Sequence, residues 1–213
     1  MRVIGRAWSA LRTSGRRALA RAWHAARRWL DLALHPLRRQ RALARLAARP
    51  APSTVLVVCH GNICRSPYAE AALKAALPEP FRTRIRVVSA GFLGGERPSP
   101  AVAIEVAARR GRDLSGHRSR PLDADLVRGA DLVVVMEPQQ ARALRWFYGV
   151  DARAVLVLGD LDASPADGRA IRDPIFQPAE VFEECYAQID RCVRVLAQAI
   201  TGTTADQEQK GRH

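Results

Sequence analysis

Four short runs of apolar, mostly β-branched residues alternate with longer amphipathic segments from residue 53 onward. The runs are nearly continuous in apolar side chains and predict strands at 54–59, 85–89, 131–136 and 154–158. Such strands suit a parallel sheet that is buried on both faces. The remaining segments predict helices at about 67–77, 99–110, 123–129, 138–147 and 179–200. The alternation predicts a three-layer α/β domain whose ligand site lies beyond the carboxyl ends of the strands.

The first 50 residues follow a different pattern. Between residues 6 and 37, Trp, Leu and Ala recur at helical spacing on one face, and Arg lies opposite. Pro36 is expected to kink or end this helix, and a second Arg/Ala/Leu segment follows to Arg49. The prolines at 50 and 52 then indicate a linker. We therefore divide the chain into an amphipathic extension over 1–50, a domain over 51–202 and a polar tail over 203–213.

The positive charge of the chain is unevenly distributed. The 213 residues have a net charge of +13, and residues 1–50 hold 13 Arg, no Lys and a single acid, Asp31. The other residues therefore carry about +1, so the basic character belongs to the extension. Three uses of the extension stay open: a helix on an anionic membrane surface, a basic arm for nucleic acid, or an upstream stretch without a function. The Trp and Leu face favours the membrane over nucleic acid.

The cysteine pattern and the hydropathy bear on the compartment. Four cysteines, at 59, 64, 185 and 192, do not make a disulfide framework at this length. The chain has no uninterrupted run of 18 apolar residues, and its beginning does not resemble a secretory signal. We therefore expect a cytoplasmic protein that the extension is able to bring to the inner face of the membrane.

The segment C-H-G-N-I-C-R-S-P, residues 59–67, runs from the first predicted strand straight into a helix. The unpaired N–H groups of a first helical turn and the helix dipole together attract anions. Gly61 and Asn62 tolerate the left-handed backbone that turns successive N–H groups inward. Arg65 has a planar guanidinium that can hold two phosphate oxygens. The segment therefore predicts a phosphate site.

Cys59 ends the strand and is placed to act as a nucleophile. The positive field of the loop favours the thiolate, which is the form that attacks. Ser66 is expected to cap the helix, and its hydroxyl is able to bind the sulfur as it leaves. A zinc site is disfavoured because further ligands at the usual spacing are missing. The predicted substrate-binding residues are His60, Gly61, Asn62, Ile63, Cys64 and Ser66.

Five segments together resemble the low-molecular-weight protein tyrosine phosphatase family, in the order which that family shows. They are VCHGNICRSP at 58–67, SAG at 89–91, HRSR at 117–120, DLVVVME at 131–137 and RDPIFQP at 172–178. The resemblance covers residues 54–200 and implies a flavodoxin-like fold with four parallel strands in the order 2-1-3-4, preceded here by a helical extension. It also implies hydrolysis of phosphate monoesters through a phosphocysteine without a metal or cofactor, and a phosphotyrosine protein, such as a tyrosine kinase, as substrate.

The resemblance also assigns a proton donor. Asp173 is expected to protonate the leaving group and then to activate the water that attacks the phosphocysteine. It precedes Pro174, which biases its backbone to the extended form that can hold a carboxyl at the rim of a site. Many relatives have aromatic residues after SAG and after DP. This chain has Phe92, Leu93, Gly94 and Gly95 in the first place, and Ile175 and Phe176 in the second.

Two further features follow from the family resemblance. The residues that match Asn62, Ser89 and His117 form a hydrogen-bonded network that holds the loop in shape. The resemblance also suggests a reversible disulfide between Cys59 and Cys64 that protects the nucleophile from further oxidation. Simple burial of Cys64 stays open as an alternative.

Thioredoxin-coupled arsenate reductases share the Cys-x5-Arg loop and use two more cysteines. Cys185 and Cys192 have a suggestive separation, but they lie on one apolar stripe of the last predicted helix. Seven helical residues rise about 10.5 Å, which is too far for a disulfide. Packing in the core is the preferred interpretation, with arsenate reduction or a non-catalytic phosphate-binding module as the alternatives.

Overall fold

Four parallel strands form the centre of the molecule. The computed structural model describes residues 29–165 and 168–202. The strands are β1 (Thr54–Cys59), β2 (Arg86–Gly91), β3 (Leu132–Val135) and β4 (Val155–Val157). They lie in the order β2-β1-β3-β4, so β1 is central and has a partner on each side. The four strands, their order and the fold class are therefore confirmed.

Helices connect the strands and cover both faces of the sheet. They are α1 (His35–Ala47), α2 (Arg65–Ala76), α3 (Phe81–Arg84), α4 (Ala101–Arg109), α5 (Ala124–Arg128), α6 (Pro138–Tyr148) and α7 (Ala179–Thr201), and a 3-10 turn, Leu158–Leu161, follows β4. The five helices that we expected within the domain are confirmed. The short helix α3 and the 3-10 turn were not expected, because four residues are too few to show an apolar period.

The two faces of the sheet pack against separate hydrophobic clusters. Val55 and Val57 of β1 face a cluster that includes residues of α2, α4 and α7. Leu56 and Val58 point the other way, toward residues of α5 and α6. Every residue from Val55 to Cys59 is buried, which explains the continuous apolar run in the sequence.

The last part of the extension packs against the domain as α1. Ala42 and Leu46 belong to the larger hydrophobic cluster, and His35 is also buried. Residues 29–33 are helical too, and a turn at Leu34 separates them from α1. Pro36 lies in the first turn of α1, so the expected interruption of the helix is found at this place.

The remaining parts of the extension and the tail lie outside the described residues. These parts are residues 1–28, with most of the expected amphipathic helix, and residues 203–213. The boundaries of extension, domain and tail therefore stay predictions. Among the helices that the structure describes, none has the length and apolar character to cross a membrane.

Candidate active site

The loop from Cys59 to Arg65 lies at the carboxyl end of the central strand, where the ends of its neighbours meet it. Gly91, the last residue of β2, is packed directly against the loop. A Cβ atom at Gly91 would lie 2.8 Å from the Asn62 nitrogen and 2.9 Å from the His60 oxygen. Only glycine fits such an approach of two backbones, which gives the SAG segment its physical reason.

Cys59 is buried at the base of this loop with two hydrogen-bond donors directed at its sulfur. The Ser66 hydroxyl donates to Cys59 Sγ at 3.1 Å, and the backbone N–H of Asn62 donates at 3.3 Å. Donors placed in this way stabilise a sulfur that carries negative charge, both before attack and when it leaves.

Ser66 does not cap α2, so this prediction was wrong. The helix begins at Arg65 with Cys64 in the N-cap position, and no side chain caps it. Ser66 therefore lies within the first turn, where its hydroxyl faces the sulfur instead of a free backbone N–H. The expected contact between Ser66 and Cys59 is present.

Asn62 holds the loop together from inside the protein. Its backbone is left-handed, with φ of 51°, and its side chain is fully buried. Nδ2 donates to the hydroxyls of Ser66 and Ser89, each at 2.9 Å, and Oδ1 accepts from the Arg120 N–H at 2.8 Å. His117 Nε2 donates to the Asn62 carbonyl at 2.7 Å. The structure thus brings Asn62, Ser89 and His117 together and adds Arg120 to the network.

Arg65 is almost completely buried, with 1% of its surface exposed, and it joins both acids of the site. Nη1 donates to Glu137 Oε1 at 2.6 Å and to the Ile171 carbonyl at 3.1 Å, and Nη2 forms an ion pair with Asp173. Burial lowers the pKa of Arg65, and the charges of Cys59, Asp173 and Glu137 outweigh it and raise that pKa. The Nε atom is buried without a partner among the described residues.

Asp173 lies at the rim of the same cavity, on a tight turn. Its Oδ1 accepts from the Ile175 N–H at 3.3 Å, and Gln177 N–H donates to the Pro174 carbonyl at 2.9 Å. Phe176 has a left-handed backbone, with φ of 60°, and its ring is 95% exposed. The turn therefore holds the carboxyl over the cavity and presents one aromatic ring to its mouth.

The cavity has a volume of about 500 Å³ and contains most of the predicted residues. The loop contributes Cys59, His60, Gly61, Ile63, Cys64 and Arg65, and the walls are Leu93, Arg97, Pro100, Asp173, Ile175 and Phe176. Asn62 and Ser66 were expected to bind substrate, but their side chains are buried behind the loop and bind other protein groups. Their side chains support the site without lining it.

Several residues of the site were missed in the sequence: Arg97 and Pro100 of the walls, Arg120 of the network, and Glu137 and Tyr186. Glu137 follows β3, the neighbour of β1, so strand order alone could have placed its carboxylate near Arg65. Tyr186 of α7 donates its hydroxyl to the Cys64 carbonyl at 3.3 Å and stacks on Tyr68 with ring centroids 3.8 Å apart. Nothing in the sequence distinguishes Tyr186 from other core residues of α7.

The three other cysteines are buried free thiols. Burial, followed by the negative charges of Asp173 and Cys59, raises the pKa of Cys64 to about 12, so Cys64 is a neutral thiol at neutral pH. Burial also raises the pKa of Cys185 and Cys192, which pack in the core as expected. The disulfide between Cys59 and Cys64 stays a prediction. Within the described ranges, no three His, Cys, Asp or Glu side chains are grouped in a way that could hold a metal ion.

Comparison with known proteins gives a consistent result. The chain is 39% identical over 142 residues to the probable low molecular weight protein-tyrosine-phosphatase EpsP of Ralstonia solanacearum, which covers 66% of this chain and 90% of that protein. Vibrio vulnificus Wzb in complex with benzylphosphonate has a similar structure, with a TM-score of 0.59, 33% identity, and coverage of 68% of this chain and 97% of that chain.

A second solved structure is the YwlE arginine phosphatase from Geobacillus stearothermophilus, with a TM-score of 0.61, 27% identity, and coverage of 76% of this chain and 98% of that chain. Residues 54–206 match the family model described as low molecular weight phosphotyrosine protein phosphatase. This match spans the loop, the acid turn and every strand of the sheet, and the chain therefore belongs to the low molecular weight phosphotyrosine protein phosphatase family.

Proposed function

We propose that this chain hydrolyses phosphate monoesters by using Cys59 as the nucleophile, Arg65 as the phosphate ligand and Asp173 as the proton carrier. One observation carries the proposal: all three side chains line one cavity, with the sulfur at its base and the carboxyl at its rim. The free Nε of Arg65 and the loop N–H groups supply donors for the phosphoryl oxygens. The similar proteins named above are phosphatases, which does not favour arsenate reduction.

The first chemical step transfers the phosphoryl group to sulfur. The arriving phosphoryl group takes over donors of Arg65, which breaks the ion pair with Asp173 and lets this carboxylate take up a proton from water before the attack. The Cys59 thiolate attacks phosphorus, so an S–P bond forms while the bond from phosphorus to the leaving oxygen breaks. Asp173 gives its proton to that oxygen, because an alkoxide or phenolate leaves poorly without one.

The second step releases inorganic phosphate. Asp173, now a carboxylate, accepts a proton from a water molecule as the water oxygen attacks phosphorus. The S–P bond breaks, and Cys59 leaves as a thiolate that the Ser66 hydroxyl stabilises at 3.1 Å. After phosphate leaves, Asp173 loses this proton to water and pairs with Arg65 again, which restores the starting state.

Phosphotyrosine is the substrate class that suits the walls of the cavity. Ile63, Leu93, Pro100 and Ile175 form apolar walls that match the faces of an aromatic ring, and the Phe176 ring is exposed at the mouth. Arg97 adds a positive charge at the rim, which disfavours the guanidinium of a phosphoarginine. A tyrosine kinase as the protein substrate remains a prediction.

Hydrolysis of a peptide panel tests this proposal. The panel contains one peptide sequence with phosphotyrosine, phosphoserine or phosphothreonine, and a second set with phosphoarginine. We expect phosphotyrosine to have the highest kcat/KM, Cys59→Ser to abolish the activity, and Cys192→Ala, which changes a buried thiol on α7, to retain it. Full activity in Cys59→Ser would contradict the mechanism. A preference for phosphoarginine would contradict the substrate class.

We further propose that the extension binds an anionic membrane surface. Two observations support this proposal. Residues 1–50 are rich in Arg, and apolar side chains are exposed where the structure begins to describe the extension: Trp29 is 74% and Leu30 is 58% exposed. Flotation with anionic liposomes tests this proposal. We expect the full chain to float and the double substitution Trp29→Glu and Leu30→Glu to weaken flotation. Equal flotation of both proteins, or of neither, would contradict it. Binding of the full chain to DNA is measured separately and tests the nucleic acid alternative.

A further inference from the structure

The segment between β4 and Asp173 is in contact with the extension. It begins with the 3-10 turn, Leu158–Leu161, and leads to the turn that carries the carboxyl. α1 packs on this 3-10 turn and on Asp162, the residue after it, through two hydrogen bonds. His35 Nε2 donates to the Asp162 carbonyl at 2.6 Å, and Arg39 Nε donates to the Leu161 carbonyl at 3.2 Å. Both acceptors are backbone atoms, so the contacts fix the path of the chain.

His35 is committed to this contact. Only 3% of its surface is exposed, and its other ring nitrogen, Nδ1, is buried without a partner in the described part of the chain. Leaving Nδ1 unpaired costs free energy, which the short bond from Nε2 has to offset. The position of the ring is therefore determined by the bond to residue 162.

The beginning and the end of the segment are joined to each other. The Asp160 carboxylate binds the Arg169 guanidinium through two bonds, of 2.9 and 2.6 Å. The backbone of Gly159 lies against that of Arg169, since a Cβ at Gly159 would lie 2.3 Å from the Arg169 oxygen. A displacement at residues 159–162 is therefore transmitted to residue 169.

From Arg169 the chain reaches the active site within four residues. The Ile171 N–H donates to the Met136 carbonyl at 2.9 Å, and the Ile171 carbonyl accepts from Arg65 at 3.1 Å. Asp173 follows and pairs with the same guanidinium. The contacts thus form a continuous path from α1 to the carboxyl that transfers the proton.

We propose that α1 positions the Asp173 segment, with His35 and Arg39 as positioning residues for proton transfer. This inference rests on the proposed function, because it assumes that Asp173 is the proton donor. α1 lies outside residues 54–206, which the family model matches. The positioning contacts of His35 and Arg39 therefore belong to the extension of this chain. The extension thereby contributes to catalysis without touching substrate.

The dependence of the rate on the leaving group measures this effect. Phenyl phosphate has a poor leaving group and needs a proton in the first step, whereas p-nitrophenyl phosphate needs it much less. The parameter to compare is kcat/KM, which reports the steps up to formation of the phosphocysteine. A change that only destabilises the fold lowers kcat/KM for both substrates by the same factor.

The experiment uses the full chain and His35→Leu, which has no donor, with His35→Gln, which keeps an N–H, as the conservative variant. We expect His35→Leu to lower kcat/KM for phenyl phosphate about tenfold more than for p-nitrophenyl phosphate. We expect His35→Gln to retain most of the wild-type kcat/KM for phenyl phosphate. Arg39 is less buried than His35, and we expect Arg39→Met also to lower kcat/KM more for phenyl phosphate than for p-nitrophenyl phosphate. Arg49→Ala is the matched control, because Arg49 donates to the Asp131 carbonyl at 2.5 Å, just before β3 and at the end of the sheet opposite the active site.

Asp173→Asn separates the inference from the proposed function. We expect this substitution alone to produce the leaving-group effect, and His35→Leu to add none to it in the double variant. In one outcome, Asp173→Asn shows the leaving-group effect, but His35→Leu and Arg39→Met lower kcat/KM for both substrates by the same factor, or leave it unchanged for both. The inference is then wrong and the proposed function stands. If Asp173→Asn shows no leaving-group effect, the proposed role of Asp173 fails, and the inference fails with it.

Discussion

Replacement of Asn62 by alanine tests how the shape of the phosphate loop is maintained. Asn62 is the residue of the loop with a left-handed backbone, and its buried side chain joins the loop to Ser66, Ser89 and Arg120. Alanine removes these bonds and also tolerates the left-handed conformation poorly. Glycine removes the same bonds but accepts the conformation.

The size of the effect follows from these two contributions. Three buried hydrogen bonds at about 1 kcal/mol each contribute about 3 kcal/mol to the free energy of unfolding. The left-handed backbone costs alanine about 1 kcal/mol more. We therefore expect Asn62→Ala to destabilise the protein by about 4 kcal/mol and Asn62→Gly by about 3 kcal/mol. For a protein of this size, the alanine variant should melt about 10 °C below the wild type.

Thermal and urea unfolding measure the stability, and kcat/KM measures the geometry of the site. A displacement of the loop amides by about 1 Å is enough for a loss of roughly 100-fold, and we expect a loss of that order in both variants. Glu96→Ala is the control, because Glu96 is exposed and also has a positive φ, of 41°, but makes no buried side-chain bonds. An Asn62→Ala protein as stable as the wild type, or more stable than the glycine variant, would show that the side-chain bonds and the left-handed backbone of Asn62 do not stabilise the loop in this way.

Further predictions concern the neighbours of the loop. Glu137→Ala removes the acceptor that orients Arg65, so we expect kcat/KM to fall by about one order of magnitude, with a smaller loss in Glu137→Gln, as measured by steady-state kinetics. Asp162→Asn tests a buried carboxylate: burial raises its pKa, while Arg191 and the Ser164 N–H outweigh this and lower it. The stability that this carboxylate contributes is present above the ordinary pKa of 3.8 and is lost as the pH falls through the lowered pKa. The difference in Tm between wild type and Asp162→Asn should therefore stay constant between about pH 5 and 8 and shrink below about pH 3.8. With its pKa raised to about 12, Cys64 should resist iodoacetamide at pH 7.5 while Cys59 reacts, as peptide mass spectrometry will show; equal alkylation would contradict the assignment.

The fold was predictable because its strands are buried on both faces. Continuous apolar runs, such as Val55 to Val58, identify strands of this type without homologous sequences. The loop was predictable because Gly61, Asn62 and Arg65 follow such a strand directly and lead into a helix. Local sequence is sufficient for both features, since each is formed by neighbouring residues.

Contacts between distant residues were less accessible. The contact of Ser66 with Cys59 was foreseen, but its capping role was assigned wrongly, because the start of a helix depends on the loop that precedes it. Glu137 and Tyr186 approach the loop only through strand order and helix packing, which no local pattern encodes. The bond from His35 of α1 to Asp162, just after the 3-10 turn, joins residues that are 127 positions apart.

Identification of the covalent intermediate on the full chain tests the role of Cys59 as nucleophile most directly. p-Nitrophenyl phosphate is mixed with Asp173→Ala, which forms the intermediate with a good leaving group but lacks the base that hydrolyses it. The reaction is then quenched, and peptides are analysed by mass spectrometry. We expect one phosphoryl group on the peptide that contains Cys59, attached to that sulfur, and none in Cys59→Ala. Hydrolysis at an undiminished rate by Cys59→Ala, or a phosphoryl group on another residue, would contradict this role.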